Sequence, residues 1–402
     1  MSFGQSTQRS SAGQVVVIGA GQAGLAATRA LLERDIVPLV LEAGDRAAGS
    51  WPCYYDSLRA FSPAGFSSLH GMPFPGDPDR YPTRDEVAGY LGRYAAGLGI
   101  EISTRTRVVT VRQDGHRFVV VTADGRHLLA GAVVAASGSF SSPHRPASQG
   151  QETFTGALVH VADYRNPSAY AGKRVIVAGA GDSAAQIANE LAPVARVTLA
   201  ARHPLRFIPQ QIGGKDVHYW LRETGFDSLP AEWLNKITGA SVITDSVGFQ
   251  QTLADGALDV RPMFARFDSG HVVWGDGERE RADAVILATG YRPSLGYLRE
   301  LGALDAQGAP LHSGGISTSH LGLVYLGLEF QRSYASNTLR GVSADADAVI
   351  APLAAWIRDA PRTIGLTTPQ IHRAGSPVFF AEEDRALARC GTDVASGCST
   401  GR

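Results

Sequence analysis

Short, unbroken hydrophobic runs alternate along this chain with longer stretches whose apolar residues recur at helical spacing, the pattern of an α/β protein built on parallel sheets. Val15-Val16-Val17-Ile18 reads as a strand buried on both faces, followed by a glycine-rich turn, a helix over residues 19–34 and a second strand over 37–41. Residues 51–82 are rich in Pro, Ser and aromatics, show little periodicity and read as loop. Thr83 with Glu86 three residues on forms a capping box, so a helix is expected from there to about Leu98. Strand-like segments follow at 108–111, 118–122 and 133–136. The theme then repeats, with a strand over 174–178, a second glycine-rich turn, a helix to about Leu191 and a strand over 197–199. After a mixed segment carrying Lys215, Trp220 and Trp233, strands are expected at 271–274, 284–288 and 323–328. A last helix over 343–357 sets Val349, Ile350, Leu353 and Trp356 on one face.

Length and charge narrow the classes. At 402 residues the chain is too long for one ordinary domain and needs no disulfide to hold a core. Lys plus Arg number 37 against 38 Asp plus Glu, so no net field draws in nucleic acid or an anionic membrane. Cys53, Cys390 and Cys398 stand too far apart for a C-x-x-C pair, which fits a reducing, cytoplasmic setting. No apolar run reaches the ~18 residues of a membrane span, and the polar opening 1–13 reads as a disordered arm without a signal peptide's apolar stretch. Glycine makes up 46 residues and concentrates at strand-to-helix junctions, as expected for turns that hold a ligand.

Gly19-x-Gly21-x-x-Gly24 follows the first strand and opens the first helix. Such a turn lets the backbone approach a pyrophosphate at the positive helix end and lets helix and strand pack closely. Glu42, 18 residues past Gly24, is placed to accept ribose hydroxyls. In the second copy, Gly179-x-Gly181-x-x-Ala184, which includes Ser183, the same count past Ala184 lands on Arg202. A carboxylate repels a 2′-phosphate and a guanidinium binds one, so the first unit suits the adenosine of FAD and the second suits NADPH. Arg202 as a plain surface charge is the competing reading, and Lys173, Arg174 and His203 could share its role. Two strands ending in glycine, at Gly138 and at Thr289-Gly290, mark where the chain crosses between the two nucleotide units. Two dinucleotide sites on one chain imply an electron relay from NADPH to a flavin.

Phe154-x-Gly156-x-x-x-His160-x-x-x-Tyr164, directly before the second fingerprint, resembles the signature of the flavin-containing monooxygenases and their Baeyer–Villiger relatives. Gly49-Ser50-Trp51 is similar to that family's turn near the flavin, and Ala288-Thr289-Gly290-Tyr291 to its A-T-G-Y element. Tyr55-Asp56-x-Leu58, Pro63, Phe66, Leu69 and Pro73 resemble the plant YUCCA-type enzymes and related bacterial FAD/NADPH monooxygenases. Where the animal drug-oxidising enzymes carry an active-site Asn, this chain has Phe61 or Ser62.

The resemblance implies two Rossmann-like dinucleotide-binding domains of three-layer ββα build, the NADPH domain inserted in the FAD domain. Residues 14–165 and 281–360 would form the FAD domain, 166–280 the NADPH domain and 361–402 a C-terminal tail. It implies a C4a-(hydro)peroxyflavin that passes one oxygen of O2 to a small-molecule substrate, with Gly49, Trp51, Val108 and Gly138 on the cofactor side and a homodimer compatible with the family. His160 would order the domain linker or act directly.

Other signals point nowhere. Gly397-x-Ser399-x-Gly401 matches a hydrolase elbow in letters only, no H-x-x-x-H supports a zinc site, and Arg206, Pro209, Lys215 and Asp216 read first as a solvated polar loop and second as a contact to NADP or the substrate channel. An NADPH:acceptor reductase of the same architecture and a nucleotide-binding redox sensor are the alternatives to oxygen insertion.

Overall fold

Both glycine turns sit at the carboxyl edges of parallel sheets. The computed structural model describes residues 14–237 and 243–359; the hydrolase-like letters, Cys390 and Cys398 lie outside them. The first unit consists of β1 (Val15–Ile18), α1 (Gln22–Leu32) and β2 (Leu39–Leu41), the second of β3 (Arg174–Ala178), α2 (Asp182–Leu191) and β4 (Arg196–Ala201).

In the first sheet, β1 lies between β2 and Ala132–Ala135, all parallel, with Ile102–Ser103 beyond β2 and Leu323–Tyr325 beyond Ala132–Ala135. Alternate residues of β1 face opposite ways. Val15 and Val17 pack with α1, with Arg84–Gly97 and with Val349, Ile350 and Leu353 of Val342–Asp359. Val16 and Ile18 pack with Val111, Phe118 and Val120 of a three-stranded antiparallel sheet. The second sheet repeats this build, running Asp259–Pro262, β4, β3, Ala284–Leu287, Ala157–His160 in parallel. Val175 and Val177 meet Ile187 and Leu191 of α2, while Ile176 and Ala178 meet Phe267 and Val272 of another small antiparallel sheet and the adjoining Trp274. Each unit is therefore three layers, strand sheet on strand sheet on helices, as expected.

Ala157–His160 and Ala284–Leu287 are both strands of the second sheet, so the chain passes from the first sheet to the second after Ala135 and back after Leu287, next to Gly138 and Thr289-Gly290. Both strands are four residues long and have no periodicity of their own; only their pairing assigns them to a sheet. The crossing segments lie antiparallel: Arg292 N–H donates to the Ser142 carbonyl at 2.8 Å, His144 N–H to Gly290 at 2.9 Å and Ser294 N–H to Gly138 at 2.8 Å.

Arg206, Pro209 and Lys215 are exposed, as expected of a solvated loop, whereas Asp216 is held by partners. Phe207–Ile208 pairs in parallel with Ile243–Thr244, rooting an excursion of the second unit that reaches the first at two places. Tyr81 donates its hydroxyl to Asp216, which also accepts from Gln210 (2.8 Å) and from the backbone and ring nitrogens of His218 (2.9 and 2.7 Å). Burial pushes the Asp216 carboxyl up, but these hydrogen bonds win and hold it down at about 2. Farther along, Asp227 accepts a bidentate pair from Arg340 at 2.8 and 2.7 Å, both side chains largely buried. No helix among the described residues is long and apolar enough to cross a membrane.

The Thr83–Glu86 capping box is present in full. Thr83→Ala should cost about 1 kcal/mol, a fall of ~2–4 °C in the Tm of the affected unit by calorimetry; an unchanged Tm would show that tertiary packing alone holds this helix.

Candidate functional site

Each glycine of the first turn has a steric reason. Gly19 has φ +103°, and a Cβ there would stand 2.7 Å from the Ala136 carbonyl oxygen; a Cβ on Gly24 would stand 1.8 Å from the Gly19 oxygen. Gly49, at φ +55°, brings the next loop against Gly21, where a Cβ would lie 2.8 Å from the Gly21 Cα. Gly21 is the N-cap of α1, and no side chain caps it. The helix therefore presents unsatisfied N–H groups and its positive end. Glu42 leaves β2 directly beneath this turn, one carboxylate oxygen accepting from Ala20 N–H at 2.6 Å and the other from Gly44 N–H at 2.7 Å. Each oxygen retains acceptor capacity for a hydroxyl.

The second turn is built likewise. A Cβ on Gly179 would stand 2.4 Å from the Ala288 oxygen, whereas one on Gly181 would meet nothing within 4 Å. Gly181 caps α2 without a side-chain hydrogen bond. The neighbouring Asp182 turns its carboxyl to Thr244, accepting from its N–H (2.8 Å) and hydroxyl (3.0 Å), and burial raises it to about 6. Arg202 directly follows β4 and makes no ion pair among the described residues. Arg174, by contrast, stands at the far end of β3 and is committed to Glu280 and Thr198. Of the four cations considered for a 2′-phosphate, only Arg202 and His203 line the cavity described next.

Both turns open into one cavity of about 1330 Å³, larger than the ~300–1,000 Å³ of a pocket for one small molecule. Every predicted site residue lines it except Gly24, which is packing, and His160. Phe61 and Ser62 both line it, as does Cys53. Tyr54 and Phe140 on the remaining wall carried no motif in the sequence. Trp51, Tyr54, Phe140 and Tyr291 form an edge-to-face row with successive ring centroids 5.9, 5.8 and 5.2 Å apart. Burial lifts the Tyr54 and Tyr291 phenols, the latter to about 12. Trp51 also donates its Nε1–H to Gln22, at the mouth of α1, at 3.1 Å. Tyr55 donates to Gln186 of α2 at 2.9 Å and so joins the loop to the second unit.

None of the four signature residues lines the cavity. Phe154 packs on Phe267, Gly156 leaves room for the Phe154 ring, and Tyr164 donates to Glu190 at 2.8 Å while meeting Tyr55 edge-on. His160 is fully buried with its ring against Tyr291. Its Nδ1 accepts from Ala162 N–H at 3.1 Å, so the proton resides on Nε2, which donates to the Gly290 carbonyl at 3.1 Å. Burial, then Arg145, lowers this imidazole below its ordinary 6.5.

Residues 16–244 match the pyridine nucleotide-disulphide oxidoreductase family. A CzcO-like oxidoreductase of Geobacillus kaustophilus is 33% identical over 84% of this chain and 97% of its own length. The rice indole-3-pyruvate monooxygenase YUCCA4 is 29% identical over 86% of this chain and 88% of its own. Among solved structures, a flavin-containing monooxygenase from Stenotrophomonas maltophilia is 33% identical, with a TM-score of 0.76 over 85% of this chain and 98% of its own.

Because the His160 value is lowered on folding, the unfolded chain binds the extra proton first as pH falls through about 6.5. Stability is full above that pH and declines below it. Thermal unfolding followed from about pH 7.5 to about pH 5.5 should show this decline, and His160→Gln should flatten it. An unchanged slope would assign the effect to other lowered imidazoles such as His312.

Proposed function

The chain belongs to the pyridine nucleotide-disulphide oxidoreductase family and, within it, to the flavin monooxygenases; from that premise we propose that it is an FAD-dependent, NADPH-using monooxygenase that inserts one oxygen of O2 into a small organic or metalloid substrate. The observation carrying this reading is the opposite charge at one register, Glu42 and Arg202, in two uncapped glycine turns that open into a single cavity. The residues fit the groups. Open space at Gly181, where a Cβ meets nothing, and the uncapped ends of α1 and α2 suit two pyrophosphates. Glu42 accepts the ribose hydroxyls of FAD and disfavours a 2′-phosphate, while Arg202 donates to the 2′-phosphate of NADPH.

FAD held at the first turn, with NADPH as reductant, would supply the chemistry that activates O2 for transfer of one oxygen atom. The chain's own part is positional. Gly49, Trp51, Val108 and Gly138 hold the flavin side; Gly179, Ser183, Thr289 and Gly290 hold the nicotinamide side. The row from Trp51 to Tyr291 excludes water from the reacting region. His160 acts as a positioning residue, fixing the Gly290 carbonyl while remaining outside the cavity.

Purified protein should carry FAD, consume NADPH and, over a panel of thioethers, amines and ketones under 18O2, yield product labelled with one oxygen in step with NADPH used. NADPH oxidation that needs a quinone or ferredoxin acceptor and labels no product would replace this reading with the reductase. Arg202→Ala should weaken NADPH by about 1.5–3 kcal/mol, roughly ten- to a hundred-fold, and leave NADH nearly unchanged in steady-state KM. An equal effect on both would make Arg202 a structural residue.

A further inference from the structure

A ring carried by the first unit is braced by the second at the wall of the cavity. Phe61 lines the cavity and is still 39% exposed, an apolar side chain without a full apolar cover. One face of its ring stacks on His218, with centroids 5.8 Å apart and an interplanar angle of 28°. His218 is itself buried and oriented by Asp216, its Nδ1 standing 2.7 Å from the carboxylate. Phe66 packs on the same imidazole at 6.1 Å, with the Arg222 guanidinium 4.9 Å from the Phe66 ring centroid. Turning Phe61 out into solvent would break this stack, and the ring face that His218 does not cover is left to the cavity.

The loop that carries Phe61 ties it to the rest of the site. Tyr54 belongs to the aromatic row, Tyr55 donates to Gln186 of α2 at 2.9 Å, and Gln186 Nε2 lies 3.5 Å from the Arg59 carbonyl. The loop thus runs from the row to the second nucleotide unit, and Phe61 stands where the two units meet. Its neighbours on the wall are apolar or already engaged. Ser62 is buried with its hydroxyl 3.0 Å from that of Ser67, and Arg59 donates to the Tyr81 carbonyl at 3.2 Å. Leu58 and the 47% exposed Phe140 line the same cavity. Resting on the reading of this cavity as a monooxygenase site, we infer that Phe61 is a specificity-determining residue: its braced ring takes an uncharged substrate bearing a flat apolar group, such as an aryl thioether, in preference to a small polar or metalloid one. His218 is the residue that positions this ring.

Binding and turnover each test this. In FAD-loaded protein titrated with methyl phenyl sulfide and followed by the flavin difference spectrum, Phe61→Ala should weaken Kd about ten-fold and Phe61→Tyr, which keeps the ring, should retain it, while dimethyl sulfide, which has no flat group, changes by less than about two-fold. His218→Ala should weaken the aryl sulfide and add nothing in a Phe61→Ala background. Each turnover takes one NADPH, one O2 and one proton and returns sulfoxide, NADP⁺ and water; Phe61→Ala should raise KM for the aryl sulfide and leave kcat nearly unchanged. Flavin content and Tm report that each variant is folded. Equal weakening of both sulfides, unchanged aryl sulfide binding in Phe61→Ala, or wild-type protein that binds arsenite or dimethyl sulfide and not the aryl sulfide overturns this inference and leaves the proposed function standing. Wild-type protein that oxygenates nothing and passes the electrons of NADPH only to a quinone or ferredoxin overturns both.

Discussion

The carbonyl of Gly290 accepts two hydrogen bonds at once, from the backbone of His144 and from the ring of His160, and the arrangement of the two nucleotide units depends on it. The first bond zips the outgoing crossing segment to the returning one. The second ties both to the strand Ala157–His160 at the edge of the second sheet. Protonated His160 could not serve Ala162 and Gly290 together, so a neutral, buried imidazole is a condition of this junction. Tyr291 follows directly and joins the aromatic wall, which makes the site's dry face continuous with the hinge between the units.

The repeated fold was readable in the chain because its signals are local. A buried strand, a glycine turn and a helix fit within about thirty residues, and the steric demands on Gly19 and Gly24 arise from neighbours the same motif supplies. The charge contrast between Glu42 and Arg202 needed only a count from the third position of each turn. The cavity wall needed more. Tyr54, Phe140 and Tyr291 meet across more than two hundred residues, and no periodicity relates them. A four-residue strand such as Ala157–His160 likewise reveals its sheet only through long-range pairing. Asp216 looked solvated because its partner, Tyr81, lies 135 residues earlier.

The signature from Phe154 to Tyr164 separates recognisability from chemistry. Its residues pack against Phe267, Tyr55 and Glu190 and stay out of the cavity. A motif can thus mark a family through the joint that orients two cofactor sites, while the side chains beside the reacting atoms come from loops with no shared spacing.

The excursion pinned by the Asp227–Arg340 pair bears on modularity. Its root is in the nucleotide sheet, but its far end is matched to a guanidinium of the other unit, so the second unit is not an interchangeable cassette. A chimera that imported this nucleotide domain into a foreign flavin domain would bring a largely buried carboxylate without its counter-ion, a mismatch of several kcal/mol. A domain exchange that keeps this contact has to carry Asp227 and Arg340 together, although 113 residues separate them and they belong to different units.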